Sequence, residues 1–140
     1  MTRRPPRGAD VEGTVLLLTL GYVVLALVLV LVCADATSLY VAQKRADAVA
    51  DAAALAGADG FVLSTDGGTA TALLTDEGVH AQAADIVASF PEVQLAAAST
   101  PDGVSARVTV VTTWHPPVLT LFVPDGVPLQ ATATSRNALG

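Results

Sequence analysis

The sequence predicts an α+β protein: one long N-terminal helix, a second helix, and a small antiparallel sheet of three to four strands, a pilin-like layout. Three observations carry this. A run of 20 residues without a charge lies near the start of the chain, TVLLLTLGYVVLALVLVLVC from Thr14 to Cys33. An alanine-rich segment without proline follows it. Beyond residue 90 the pattern changes to alternating Val, Thr and Ala punctuated by Pro-Asp-Gly turns.

The apolar run suits a membrane span. Twenty helical residues rise about 30 Å, the thickness of a bilayer's hydrocarbon core. A charge near its middle would cost about 2.5–3.5 kcal/mol on insertion scales, and the run has none. It has no polar face, as a core helix of a soluble protein would. Ala34-Asp35-Ala36 mimics a signal-peptidase site and Leu31-Val32-Cys33 faintly mimics a lipobox. However, cleaved signals have apolar cores of about 7–15 residues, shorter than this one.

Charge orients the span. Residues 1–13 hold Arg3, Arg4 and Arg7 against Asp10 and Glu12. Of the chain's 7 basic and 13 acidic residues, the other four and eleven lie beyond the run. Arginines beside a span stay in the cytoplasm. The expectation is a cell-membrane protein, single-pass, with a cytoplasmic tail (1–13), a span (14–33), an extracytoplasmic continuation of the helix (34–60) and a small extracytoplasmic α+β domain (61–140). No basic patch points to nucleic acid. The single cysteine, Cys33, excludes an intrachain disulfide.

Each element follows in order. The tail, TRRPPRGAD, is read as too short and Pro-rich to fold. From Ala34 to Ala58 alanine, the best helix former, dominates, so the span continues outward as one rod with Gly57 and Gly60 as stops. At 100° per residue, Ala42, Ala46, Val49, Ala53 and Ala56 share one face, with Lys44, Asp47 and Asp51 opposite. Two readings of the small-residue face stand side by side. It covers the chain's own sheet, or it packs against neighbouring subunits as small residues do between membrane helices.

Residues 59–74, with Asp66-Gly67-Gly68, read mainly as a loop. Thr75 caps a second helix with Asp76 and Glu77 in its first turn. Val79, Ala83, Ile86, Val87 and Phe90 keep helical spacing up to Pro91. Val93, Leu95 and Ala97 alternate in a first strand, and Thr100-Pro101-Asp102-Gly103 turns the chain. Val104, Ala106, Val108 and Val110 share one face of a second strand that runs to Trp114. Pro116-Pro117 breaks it. An apolar stretch, 118–123, leads to the turn at Pro124-Asp125-Gly126. Leu129, Ala131 and Ala133 alternate in a last strand. Trp114 and Phe122 are expected to fill a core short of other large residues, rather than to form a patch for a partner.

Catalytic chemistry is not legible. His80 and His115 lack metal-ligand spacing and read as a surface residue and strand-edge structure. No nucleophile elbow or phosphate loop occurs. The reading is of a non-enzyme without cofactor or metal.

The order of motifs adds a resemblance. EGTVLLLTL, the apolar run, Asp35-Ala36, then Leu39-Tyr40-Val41-Ala42-Gln43 and Ala50-Asp51-Ala52-Ala53-Ala54-Leu55-Ala56-Gly57-Ala58 together resemble the N-terminal segment of TadE/TadG-like Flp pilus-assembly proteins, over about residues 12–60. The resemblance implies a minor pilin-like or structural assembly component of a Tad-type pilus or secretion system. Its partners would be other pilus-assembly or pseudopilin subunits and membrane platform proteins. It also implies prepilin-peptidase processing after a glycine, with a glutamate fifth in the mature chain. Gly8, Ala9 and Glu12 are the positions here, although Glu12 falls fourth. The D-x-S-x-S motif of the larger members is missing. The rival reading is a monomeric membrane-anchored envelope binding module.

Overall fold

A computed structural model describes residues 7–66 and 68–136. Helix α1 runs unbroken over Arg7–Asp59, so 53 residues make a rod about 80 Å long. It is the one helix among the described residues long and apolar enough to cross a membrane. It starts earlier than the tail reading allowed: residues 7–13 are helical, and only residues 1–6 of the expected tail lie outside the described part. Extending a helix costs little once it is nucleated, and no proline follows Pro6 to stop it.

Strands β1 (Val62–Asp66) and β2 (Thr69–Leu73) pair antiparallel, with Val62 opposite Leu73 and Asp66 opposite Thr69. This corrects the loop reading of 59–74. Gly-Gly, the two residues between the paired Asp66 and Thr69, is a hairpin signal between short β-prone runs.

Helix α2 covers Asp76–Val87. Its first turn matches expectation: the Thr75 hydroxyl accepts the Gly78 N–H at 3.1 Å. Asp76 also accepts the Thr100 N–H at 2.7 Å, which ties the helix start to the turn between the next two strands. The helix stops at Val87, short of Pro91. Tight bonds from Ser89 N–H to Ile86 C=O and Phe90 N–H to Val87 C=O replace the last turn. Phe90 thereby leaves the helical face and is exposed.

Strands β3 (Val93–Ser99), β4 (Ser105–Trp114) and β5 (Val127–Arg136) form an antiparallel sheet with β4 in the centre. The expected alternation holds in β4 and β5: Ala106, Val108, Val110, Leu129, Ala131 and Ala133 are buried. In β3 it breaks. A bulge between Leu95 and Ala97 inserts one residue, so Ala97 faces out and Ala98 turns in. One extra residue reverses every side chain after it. The apolar stretch 118–123 forms turns rather than a fourth strand of this sheet.

The outer half of α1 and all of α2 cover one face of this sheet, and the core lies between them. Its largest fully buried side chains are only Val79, Val108, Val110 and Pro116. Small residues therefore set the spacing. A Cβ on Gly57 would come within 3.0 Å of Val79 Cγ1 and 3.2 Å of Ala106 Cβ. One on Gly78 would lie 2.8 Å from the Gly60 carbonyl oxygen. The two helices meet through these glycines.

Candidate functional site

Helix α1 is the surface to which the rest of the chain packs, in a fixed order. Ala106 lies against Gly57 near the outer end. The Gln43 amide donates to the Gln130 carbonyl at 3.2 Å. Trp114 Nε1 donates to Ser38 Oγ at 3.1 Å. The Val118 N–H donates to Asp35 Oδ1 at 3.1 Å. From Gly57 to Ser38 the helix falls about 28 Å, and from Ala106 to Trp114 the strand runs about 27 Å. Strand β4 therefore runs down α1 and stops where the apolar run begins.

Below that level nothing comparable covers the helix. Leu16, Leu17 and Leu25 are 72%, 73% and 64% exposed. In water such a surface is not tolerable on a monomer, since patches beyond a few hundred Å² mark interaction or membrane sites. Above it, Ala46, Val49 and Ala53 are 1%, 5% and 0% exposed. Ala42 and Ala56, from the same predicted face, are half-buried. The buried arc is wider than the five residues singled out: Ala50, Ala54, Gly57 and Ala58 also turn inward. Their row at i, i+4, i+8 was the available signal. The five residues thus lie against this chain's own fold, and the arc left exposed on this half includes Val41, Ala48, Ala52 and Leu55.

Electrostatics along the rod are local. Asp47 accepts from the Gln43 amide at 3.0 Å and pairs with Lys44 at 3.3 Å. The Gln43 bond first, then Lys44, holds its carboxyl below the ordinary carboxylate range. Asp35 is buried at the waist, and its Oδ2 has no hydrogen-bond partner among the described residues.

The remaining sequence candidates scatter. Gly8, Ala9 and Glu12 lie in the first turns of α1. His80 is exposed on α2 and His115 is exposed at the end of β4. No group of three or more His, Cys, Asp or Glu that could hold a metal occurs among the described residues. Phe122 departs from the core expectation and is 81% exposed, while Trp114 is half-buried against Ser38. The core has no room for the ring, because α1 already approaches the sheet at alanine distance. A groove of about 400 Å³ opens between α1 and the lower end of the sheet, lined by Thr37, Ser38, Arg45, Glu92, Trp114 and His115.

These features define a class: an α+β protein strung on one helix, half bare and apolar, half sheathed by its own domain. Residues 13–60 match the Tad family model, described as "Putative Flp pilus-assembly TadE/G-like". The match covers about a third of the chain and follows α1 from residue 13 to just past its end at Asp59, where the motif order had pointed. No curated protein and no solved structure matches the chain.

Proposed function

We propose that the chain is a structural component in the assembly of a Flp/Tad-type pilus, held in the cell membrane by residues 14–33. Its tail is cytoplasmic and its folded domain is extracytoplasmic. The observation that carries this is a coincidence of boundaries. The family-matched segment is one unbroken helix that joins a bilayer-length bare half to a half coated by its own domain. A protein built this way has two uses for one surface. The apolar half rests in lipid before assembly and packs against neighbouring subunits afterwards, a minor pilin-like role. Prepilin-peptidase processing between Gly8 and Ala9 belongs to the same proposal. Glu12 would then sit near a neighbour's new amine, offsetting the cost of a buried charge.

Because Ala46 and Ala53 face the chain's own sheet, subunit contacts on the outer half fall to the exposed arc. Cysteines at Ala52 and Leu55 in a Cys33→Ser background are expected to crosslink to other pilus-system subunits in native membranes. A cysteine at Glu77 on α2 is not. If Ala52 and Leu55 crosslink no more than Glu77 in cells that assemble the pilus, the assembly role is lost. The groove beside Arg45, Glu92 and His115 favours the second reading, an anchored envelope binding module. That reading requires a soluble ligand retained by the monomer.

A further inference from the structure

We propose that the connection between β4 and β5 dips into the bilayer surface beside α1, placing Leu119, Leu121 and Phe122 among the outer ends of the lipid chains. The inference rests on reading Thr14–Cys33 as a membrane span, and it adds a second, shallow lipid contact to that anchor.

The connection is fastened at the right height. Val118 N–H is bonded to Asp35, which lies two residues, or about 3 Å, beyond the end of the apolar run. Trp114 is bonded to Ser38, and Pro116 is fully buried. The packing also reaches below the boundary. Leu31, Asp35 and Ser38 lie on one face of α1 at i, i+4 and i+7. Leu31 is 37% exposed, while Val28, Leu29, Val30 and Val32 around it are 50–63% exposed. This lower exposure lies two residues, or about 3 Å, inside the end of the apolar run. Interfacial elements bury their apolar faces about 5–10 Å into the headgroup and acyl boundary.

The side chains at this height are the wrong ones for water. Leu121 is 92% exposed, Phe122 81% and Leu119 42%. The turn that presents them is held by its own polar groups. The Phe122 and Val123 N–H groups both donate to the Leu119 carbonyl, at 2.9 and 3.0 Å, and the Thr120 hydroxyl donates to the Pro116 carbonyl. Two backbone N–H groups of the turn are thus satisfied internally, which lowers the cost of entering an apolar medium. Trp114 stands at the boundary, where tryptophan is enriched in membrane proteins. No Lys or Arg occurs between Arg107 and Arg136. The contact is therefore with lipid chains and not with headgroup phosphates, and salt should leave it unchanged.

Depth-dependent quenching tests this on the full chain. The Cys33→Ser protein is reconstituted in phosphatidylethanolamine/phosphatidylglycerol vesicles with an environment-sensitive fluorophore at Leu121→Cys, at Leu25→Cys in the span, or at Glu77→Cys on α2. Phe122→Cys repeats the measurement at a second position, and circular dichroism confirms folding of each variant. The expected result is several-fold stronger quenching at Leu121 than at Glu77 by a spin label high on the acyl chain. Leu25 should respond to a label near the bilayer centre, and high salt should change neither. If Leu25 is deep but Leu121 and Phe122 behave like Glu77, the lipid contact is overturned and the span stands. If Leu25 is not quenched, both fall. If the probe at Leu121→Cys is shielded only at high protein-to-lipid ratio and the unlabelled variant forms disulfide dimers under air oxidation, the occupant is a second copy, which also overturns the lipid assignment.

Discussion

Asp102 shows how one polar residue organises a turn in a protein with a thin core. Its Oδ1 accepts the Val104 and Ser105 N–H groups at 3.0 and 2.6 Å, and its Oδ2 accepts the Ser105 hydroxyl at 2.8 Å. The Ser105 hydroxyl, then the two backbone N–H groups and Arg136, hold this carboxyl below the ordinary carboxylate range. The folded chain thus binds the Asp102 proton less readily than the unfolded chain does. The stabilisation is complete above the unfolded value of about 3.9 and is lost as pH falls through the lower folded value. Asp102→Asn should lower the melting temperature at neutral pH, with a difference from wild type that narrows as the buffer is acidified below that range. A constant difference across the acid range would separate the turn's stability from the carboxylate charge.

At the scale of elements, the contact between α1 and the sheet depends on the size of what faces inward. Ala53 is fully buried, and Gly57 one turn on approaches Val79 and Ala106 at near-contact distance. Packing this close leaves no free volume to absorb a larger side chain. Ala53→Leu should therefore cost about 1–3 kcal/mol, read as a lower melting temperature of the detergent-solubilised chain. Ala52→Leu, one position round the helix and exposed, should be close to neutral. Equal effects of the two would mean that helix propensity, not packing, governs this half of the rod. The hairpin β1–β2 is built differently. Val62, Leu63 and Leu73 remain exposed, and its tie to the domain runs through Phe61, Leu74 and the bond from Leu74 N–H to the Gly103 carbonyl.

For the whole molecule, the proposed topology and the proposed processing can be tested on one chain. On the proposed topology, with Arg3, Arg4 and Arg7 cytoplasmic, an impermeant maleimide added to the extracytoplasmic side should label Glu77→Cys in a Cys33→Ser chain. The intact mass of the same labelled chain should correspond to a start at Ala9. Failure to label folded chains in sealed membranes would reverse the orientation. A full-length mass in cells with active prepilin peptidase would remove processing and leave the anchor in place. The bonds to Asp35 and Ser38 join the folded domain to α1 next to the end of the apolar run.

Much of this was legible along the chain, because it depends on local terms. Helix length follows from alanine content and the absence of proline. The candidate span follows from 20 uncharged residues, and the faces of β4 and β5 from strict alternation. The resemblance rested on motif order within one continuous helix, and the family match falls on that helix. Three things depended on contacts distant in sequence. The bulge in β3 is a matter of pairing with β4, which local pattern does not encode. The direction of the alanine face was undecided until the sheet lay against it, since small residues suit a neighbour and the chain's own core equally. Phe122 reads as core by composition. It is left outside because alanines bring α1 too close to the sheet to admit a ring, and because Asp35, 83 residues from Val118, holds that adjoining backbone at the foot of the domain. The sequence by itself determined a long helix with a bilayer-length apolar half. The tertiary structure decided which side of that helix is spent on the fold and which groups are left over at the boundary where the apolar half begins.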